Sequence, residues 1–195
     1  IVYVVIIDNR DVCAVLSGDV DAAHRAGVDY AMQYDAVQIE EPADVVITSS
    51  AGYPLDKTYY QAVKGMCGVE HLVRKGGTII IAAECSEGIG NAVFLDCLRV
   101  RAAFDSHEDY IRHIEQPGNF VPDQWQVEKL SQAMRHAHVL LVADGLTEND
   151  HEFTLCEHAA TVEEALAISL QKYGPSAKIA VVPEGPYVIP TTRGG

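Results

Sequence analysis

The chain is poor in basic residues. Its 195 residues include 14 lysines and arginines against 28 aspartates and glutamates, which gives a formal net charge of −14 at pH 7. No cluster of basic residues interrupts this acidic composition. Because nucleic-acid phosphates and anionic membrane headgroups would repel such a surface, we expect neither nucleic acid nor a membrane as a partner.

The cysteines lack the number and spacing of a disulfide or zinc framework. There are five, an odd number, and no two are spaced as C-x-x-C. This usage favours a reducing compartment, so we expect a cytoplasmic protein. No apolar run approaches the roughly 20 residues of a membrane-spanning helix. The apolar residues 1–7 also lack the basic leader of a signal peptide.

Several common catalytic motifs are absent as well. The sequence contains neither H-E-x-x-H nor G-x-S-x-G, and its eight histidines show no metal-ligand spacing. The segment G-I-G-N-A-V at residues 88–93 stops short of G-x-G-x-x-G, because Val93 occupies the place of the third glycine. We therefore predict neither a metal site nor a dinucleotide fingerprint in this chain.

What is present is an alternation of apolar strands and amphipathic helices. The pattern predicts strands over residues 1–7, 12–16, 36–39, 43–49, 78–83, 138–143 and 178–183, with a turn at 9–11. It predicts helices over residues 20–32, 56–73, 91–103, 106–115, 123–136 and 162–173, and leaves 146–160 unassigned. Apolar strands separated by helices favour parallel pairing. We predict one α/β domain over residues 1–195, a three-layer, Rossmann-like, mostly parallel sheet with helices on both faces.

Two loops at predicted strand ends contain more polar residues than a simple connection between a strand and a helix requires. Residues 49–56 lead into a helix on which Tyr60, Gln61 and Lys64 follow. Gln61 and Lys64 are spaced i, i+3 near a helix N-terminus, where an amide, an ammonium and free N–H groups suit a small anion. Spacing alone favours the simpler interpretation, a solvated helix face.

The second loop, residues 84–90, contains two glycines and two glutamates. Gly88 and Gly90 can bring backbone N–H groups close to an anion, or can simply form the turn before a helix. Glu84 and Glu87 can be acid–base groups, although helix capping is the commoner role of carboxylates at a strand end. Trp125 stands at apolar helical spacing, which fits either a core position or the wall of a cleft.

Four segments of the sequence together resemble one known family. They are S-G-D at residues 17–19, A-A-H-R-A-G at 22–27, A-D-V-V-I-T-S-S-A-G-Y-P-L-D followed by Y-Y-Q-A-V-K at 43–56 and 59–64, and G-G-T-I-I-I-A-A-E-C-S-E-G-I-G at 76–90. These segments resemble the nickel-dependent lactate racemases. The likeness extends over most of the chain and is most specific in its first hundred residues.

The resemblance implies a two-lobed enzyme with its active site between the lobes. In that family the larger N-terminal lobe holds a nickel-pincer nucleotide and the catalytic histidines. A hydride passes from C2 of a 2-hydroxy acid to this cofactor and returns to either face. The smaller lobe contributes a Q-x-x-K helix and a tryptophan on the substrate side. Gln61 and Lys64 stand in the places of that motif, Tyr60 precedes them, and Trp125 is the sole tryptophan. The resemblance therefore implies that these four residues bind the substrate.

The resemblance also shows departures. Ala51-Gly52 stands where two glycines are common, and Leu55 stands where a lysine is common, which leaves the particular hydroxy acid open. No segment resembles the cofactor lobe. The resemblance therefore implies that this chain alone is inactive, binds no cofactor, and has its own N-terminal lobe and a small 2-hydroxy acid as partners. A homo-oligomer through the exposed lobe interface and a non-enzymatic module that binds a small carboxylate or nucleotide remain alternatives.

Overall fold

The computed structural model describes residues 2–7, 11–33 and 36–192. The strands are β1 (Val2–Ile7), β2 (Asp11–Ser17), β3 (Ala36–Ile39), β4 (Ala43–Ser49), β5 (Val73–Ala82), β6 (His138–Val142), β7 (Glu157–His158), β8 (Ile179–Val182) and β9 (Ile189–Thr192). The α-helices are α1 (Val20–Ala31), α2 (Tyr59–Gly68), α3 (Ala92–Ala102), α4 (His107–Ile114), α5 (Gln124–His136), α6 (Glu148–Thr154) and α7 (Val162–Tyr173). No helix in this described part is both long and apolar enough to cross a bilayer.

A five-stranded parallel sheet forms the centre of the fold. Its strand order is β7-β6-β5-β4-β8. Every neighbouring pair is parallel, as in the register of Val46 with Ile79 and of Ile79 with Val139. The central strands are continuous apolar runs because side chains on both of their faces are buried. The predicted α/β fold with mostly parallel strands is therefore confirmed.

The two faces of this sheet are covered by different helices. Alternate side chains such as Ile81 and Leu141 pack with residues of α2, α3, α4 and α5 in one apolar cluster. The intervening Ile80 and Leu140 point to the other face, where Ala165 of α7 is fully buried. This alternation follows from the two-residue period of a strand. It gives the predicted three layers, with a thicker layer on the α2 side.

The first strand pair departs from the parallel prediction. β1 and β2 form an antiparallel two-stranded sheet and do not join the central sheet. Val12 and Val15 of β2 are largely exposed. Residues 9 and 10 of the predicted turn lie outside the described residues, whereas Asp11 begins β2. β3 pairs in parallel with β9, a strand that the sequence pattern did not predict.

The helix predicted over residues 56–73 is shorter than expected. α2 begins after Thr58, whose side chain accepts a hydrogen bond from the Gln61 backbone, and it ends at Gly68. A 3-10 turn at Glu70–Leu72 follows, and β5 starts at Val73. Gly77 therefore lies within β5 instead of ending a helix. A Cβ atom at Gly77 would lie 2.7 Å from the Asp44 carbonyl oxygen, so the close strand contact requires glycine.

The unassigned segment 146–160 contains one short helix and one short strand. α6 begins with a capping box, in which the Thr147 side chain accepts from the Asp150 backbone and the Asp150 carboxylate accepts from the Thr147 backbone. β7 then forms one edge of the central sheet beside β6. Two other helices begin where predicted, since Asp19 caps α1 and Thr161 caps α7.

Candidate functional site

The loop between β4 and α2 lies at the carboxyl edge of the central sheet, where parallel α/β folds bind their ligands. Two consecutive residues turn this loop with positive φ angles, Ala51 at 63° and Gly52 at 68°. Glycine adopts this left-handed conformation at no steric cost, whereas alanine adopts it at a cost of roughly 1 kcal/mol. The departure from the glycine pair at Ala51 therefore leaves the turn intact but strained.

The glycine-containing loop 84–90 supports the start of α2. The Tyr59 backbone N–H donates to the Gly88 carbonyl oxygen at 2.9 Å, and the Tyr60 N–H donates to the Ile89 carbonyl oxygen at 3.0 Å. The Gly88 N–H donates to the Cys85 carbonyl oxygen at 2.8 Å, so it is not available to an anion. Glu87 forms an ion pair with Lys57. Of the two interpretations of this loop, the structural one accounts for Gly88.

Gln61 and Lys64 border one small concavity. Its volume is about 170 Å³, and its lining residues are Ser50, Leu55, Gln61, Lys64, Pro186 and Tyr187. The Gln61 side chain is half-buried and Lys64 is exposed. Within the described part of the chain, no hydrogen bond or ion pair involves the Gln61 amide or the Lys64 ammonium. Both residues line this concavity, and neither donor group has a hydrogen-bond or ion-pair partner among the described residues.

Tyr60 lies beside Lys64 and contacts Trp125, but neither aromatic residue lines the concavity. The Lys64 Nζ atom lies 5.5 Å from the centroid of the Tyr60 ring, and the Trp125 ring meets Tyr60 edge-on at 6.3 Å. The Tyr60 hydroxyl donates to an oxygen of Asp123 at 3.3 Å. Burial, followed by the nearby Asp123 carboxylate, raises the pKa of the Tyr60 phenol, which therefore remains a donor. Trp125 is 50% exposed, so it is not a core residue.

One wall of the concavity comes from a segment that the sequence did not single out. The 3-10 turn Gly185–Tyr187 packs against α2, and a Cβ atom at Gly68 would lie 2.6 Å from the Gly185 carbonyl oxygen. The missing side chain at Gly68 thus lets the turn approach α2 and brings Pro186 and Tyr187 opposite Lys64. No local signal distinguishes this turn from an ordinary loop, because its role depends on the contact with α2.

A second concavity lies at the ends of β4, β5 and β6 and has the opposite charge. Its volume is about 300 Å³, and its lining residues are Ser49, Gly52, Asp56, Ala82, Ala83, Glu84, Val142 and Asp144. Three of these residues are carboxylates and none is a cation. Across residues 2–7, 11–33 and 36–192, no group of three or more histidine, cysteine, aspartate or glutamate side chains is placed to hold a metal ion.

Three wholly or partly buried cysteines are not suited to nucleophilic chemistry. Burial raises the pKa of the Cys67, Cys85 and Cys156 thiols to about 12. A thiol of this kind stays protonated at neutral pH, whereas the thiolate is the reactive form. These three thiols are therefore not candidate nucleophiles.

Comparisons with known proteins show which family this chain is similar to. Residues 38–190 match the family described as lactate racemase C-terminal domain. The chain is 33% identical over 195 residues to lactate racemase from Lactiplantibacillus plantarum, covering 97% of this chain and 44% of that protein. It is 33% identical over 191 residues to lactate racemase from Thermoanaerobacterium thermosaccharolyticum, with the same coverage. The chain therefore spans less than half the length of these relatives.

A comparison with solved structures also finds a lactate racemase. The lactate racemase apoprotein from Thermoanaerobacterium thermosaccharolyticum superposes with a TM-score of 0.83 at 32% identity, over 97% of this chain and 45% of that chain. A Thermotoga maritima protein superposes with a TM-score of 0.58 at 12% identity, over 88% of this chain and 42% of that chain, which shows the shared fold alone. The chain belongs to the lactate racemase family and corresponds to its C-terminal domain.

Proposed function

We propose that this chain is the substrate-side lobe of a 2-hydroxy acid racemase or epimerase of the lactate type. One observation carries the proposal: Gln61 and Lys64 border the same small concavity, and their side chains have no hydrogen-bond or ion-pair partner among the described residues. An ammonium is a mobile point charge for a carboxylate, and an amide N–H₂ group donates to a carboxylate or hydroxyl oxygen. The pair thus provides donors for a small acid.

The size and charge of this concavity favour a small anion over a larger ligand. Typical small-molecule pockets measure about 300–1,000 Å³, whereas this one measures about 170 Å³. None of the lining residues is a carboxylate. A short hydroxy acid such as lactate fits both conditions.

The remainder of the full-length protein supplies the other half of the proposed site. Its cofactor, which we propose to be a nickel-pincer nucleotide, would accept the hydride from substrate C2 and return it. Among the described residues, no three histidine, cysteine, aspartate or glutamate side chains are grouped to hold a metal ion, and we propose that the N-terminal lobe binds the nickel. The role left to this chain is to hold the substrate carboxylate and orient C2. We expect the chain alone to be inactive.

Exposed aromatic side chains around the site support a covering lobe. Tyr187 lines the concavity and is 60% exposed, and Trp125 contacts Tyr60 and is half exposed. Exposed apolar surface of this kind marks an interaction site. We propose that the N-terminal lobe covers it; pairing of two copies through this surface is the alternative, and light scattering at several concentrations distinguishes them.

The decisive experiment uses the full-length protein loaded with its nickel cofactor. We expect L-lactate to be converted to a mixture with D-lactate, measured by chiral chromatography, and the 195-residue chain alone to give no conversion. Absence of conversion for lactate and for other short 2-hydroxy acids would overturn the racemase proposal. Calorimetry on the isolated chain tests the alternative of a binding module, because half a site should bind lactate weakly. Tight binding of a carboxylate or nucleotide would favour the module.

A further inference from the structure

Ser50 is a buried polar residue at the edge of the proposed substrate site. Its side chain is fully buried, and its Oγ atom has no hydrogen-bond partner within the described chain. Buried hydroxyl groups are normally hydrogen-bonded, because leaving one unpaired is costly. Ser50 also lines the concavity that Gln61 and Lys64 border. The residue that carries the unpaired hydroxyl therefore borders the space in which a ligand would lie.

Comparison with the two preceding residues shows that Ser50 differs from its neighbours. Thr48, Ser49 and Ser50 form a row of three hydroxyl side chains at the end of β4. The Thr48 hydroxyl contacts the Ser49 carbonyl oxygen at 3.5 Å, and the Ser49 hydroxyl donates to the Pro183 carbonyl oxygen. The backbone N–H of Ser50 donates to the Ala82 carbonyl oxygen at 3.2 Å, so its backbone is satisfied. Of these three hydroxyl groups, only that of Ser50 has no hydrogen-bond partner among the described residues.

We propose that the Ser50 hydroxyl is a third substrate contact and donates a hydrogen bond to the carboxylate of the 2-hydroxy acid. This inference rests on the function proposed above. The lining residues then provide three donors: the Ser50 hydroxyl, the Gln61 amide and the Lys64 ammonium. A carboxylate has two oxygens with about four lone-pair sites and can accept from all three. With no carboxylate in the lining, the substrate is the acceptor that this donor set lacks.

Replacement of Ser50 by alanine separates a binding role from a structural one. In Ser50→Ala, no protein hydrogen bond is lost, so the melting temperature of the full-length apoprotein should stay unchanged or rise. The dissociation constant for lactate should increase about tenfold, since one hydrogen bond to a charged group is lost. Both are measured on the apoprotein, by calorimetry and thermal unfolding, because lactate is not turned over without the cofactor.

A matched serine provides the control. Ser169 of α7 is also buried, but its hydroxyl donates to the Ala165 carbonyl oxygen at 2.8 Å on the opposite face of the sheet. Ser169→Ala should therefore lower the melting temperature and leave lactate affinity unchanged. If Ser50→Ala instead lowers the melting temperature and leaves affinity unchanged, Ser50 is structural and the inference is wrong.

Propionate, which lacks the 2-hydroxyl group, identifies the substrate atom involved. If Ser50 contacts the carboxylate, Ser50→Ala weakens propionate and lactate binding by the same factor. A loss confined to lactate would overturn the carboxylate assignment. Lactate binding by Lys64→Met and Gln61→Ala, measured in parallel, separates the Ser50 contact from the proposed function. If these two variants bind lactate more weakly but Ser50→Ala does not, only the Ser50 contact is refuted. Unchanged binding in all three variants refutes the proposed function itself.

Discussion

Two concavities lie at the carboxyl edge of the central sheet, and they differ in charge. The smaller one, bordered by Gln61 and Lys64, is lined by one cation and no carboxylate. The larger one is lined by three carboxylates, Asp56, Glu84 and Asp144, and no cation. Both are built from the loop that follows β4. The same sheet edge thus offers one surface that attracts an anion and, beside it, one that repels it.

This difference shows that position at a strand end does not by itself identify a binding site. The larger concavity has about 300 Å³ of space against about 170 Å³ in the smaller one. Volume alone would therefore select the acidic concavity. Charge and unpaired donors select the other one, because a buried carboxylate substrate needs donors and would be repelled by like charge. The following predictions test this comparison, from the largest expected effect to the smallest.

The largest effect is expected for the cation of the smaller concavity. In the cofactor-loaded full-length protein, Lys64→Met should lower kcat/KM for lactate by about 100-fold, because the substrate carboxylate loses a charge-assisted hydrogen bond. Steady-state racemisation kinetics measure this loss. Lys172→Met on α7, at the opposite face of the sheet, should leave the kinetics unchanged. Equal rates in both variants would remove Lys64 from the site.

The wall of the smaller concavity should be sensitive to one methyl group. Gly68→Ala places a Cβ atom about 2.6 Å from the Gly185 carbonyl oxygen, and such overpacking costs about 1–3 kcal/mol of unfolding free energy. Thermal unfolding measures the loss, and lactate affinity should fall with it because Pro186 and Tyr187 shift. Gly27→Ala in α1 meets only an ordinary contact at 3.7 Å and should not destabilise the protein. If the two variants are equally stable, the turn of residues 185–187 does not pack against α2 as closely as the structure indicates.

A smaller effect is expected for the amide partner of Lys64. Gln61→Ala should lower kcat/KM for lactate by about tenfold, since a hydrogen bond from a neutral donor to a charged acceptor is lost. The control is Gln116→Ala, whose amide donates to the Arg112 carbonyl oxygen at the end of α4. A decrease no larger than that of the control would mean that Gln61 is a solvated residue of the helix surface.

The smallest effect is expected in the acidic concavity. Asp144→Asn removes one of its three charges and should change kcat/KM for lactate by less than about twofold, because long-range charge effects at the surface are screened at physiological salt. The measurement is the same racemisation assay, with thermal unfolding to verify folding. A decrease in kcat/KM of tenfold or more would place the acidic concavity in the active site. The proposal that only the smaller concavity binds the substrate would then be wrong.

Much of the fold could be predicted because its signals are local. The seven residues of β4 and the twelve of α7 lie where expected, since one is a bounded apolar run and the other is bounded by Thr161 and Gly174. β9 was not predicted because Pro190 within four residues argues against a strand. The place of β1 outside the central sheet also depends on pairing between distant residues, which an apolar run does not reveal.

The sequence predicted some residues of the candidate site and missed others. The spacing of Gln61 and Lys64 placed them on one helix surface, and the family resemblance favoured them as substrate contacts. Ser50 and Tyr187 were not recognised as lining residues, because a serine after a strand and a tyrosine in a turn are common. Their proximity to Lys64 appears only when the turn of residues 185–187 packs against α2.

The amino-acid sequence by itself determined the strands and helices, the strand-end loops and the family, because apolar periodicity, capping residues and motif order are properties of neighbouring residues. The tertiary structure alone decided which polar groups face a common space and which are already bonded. Hydrogen-bond partners and concavities arise between segments more than a hundred residues apart, as between Ser50 and Tyr187. Packing in three dimensions therefore distinguishes the concavity that Gln61 and Lys64 border from the acidic one beside it.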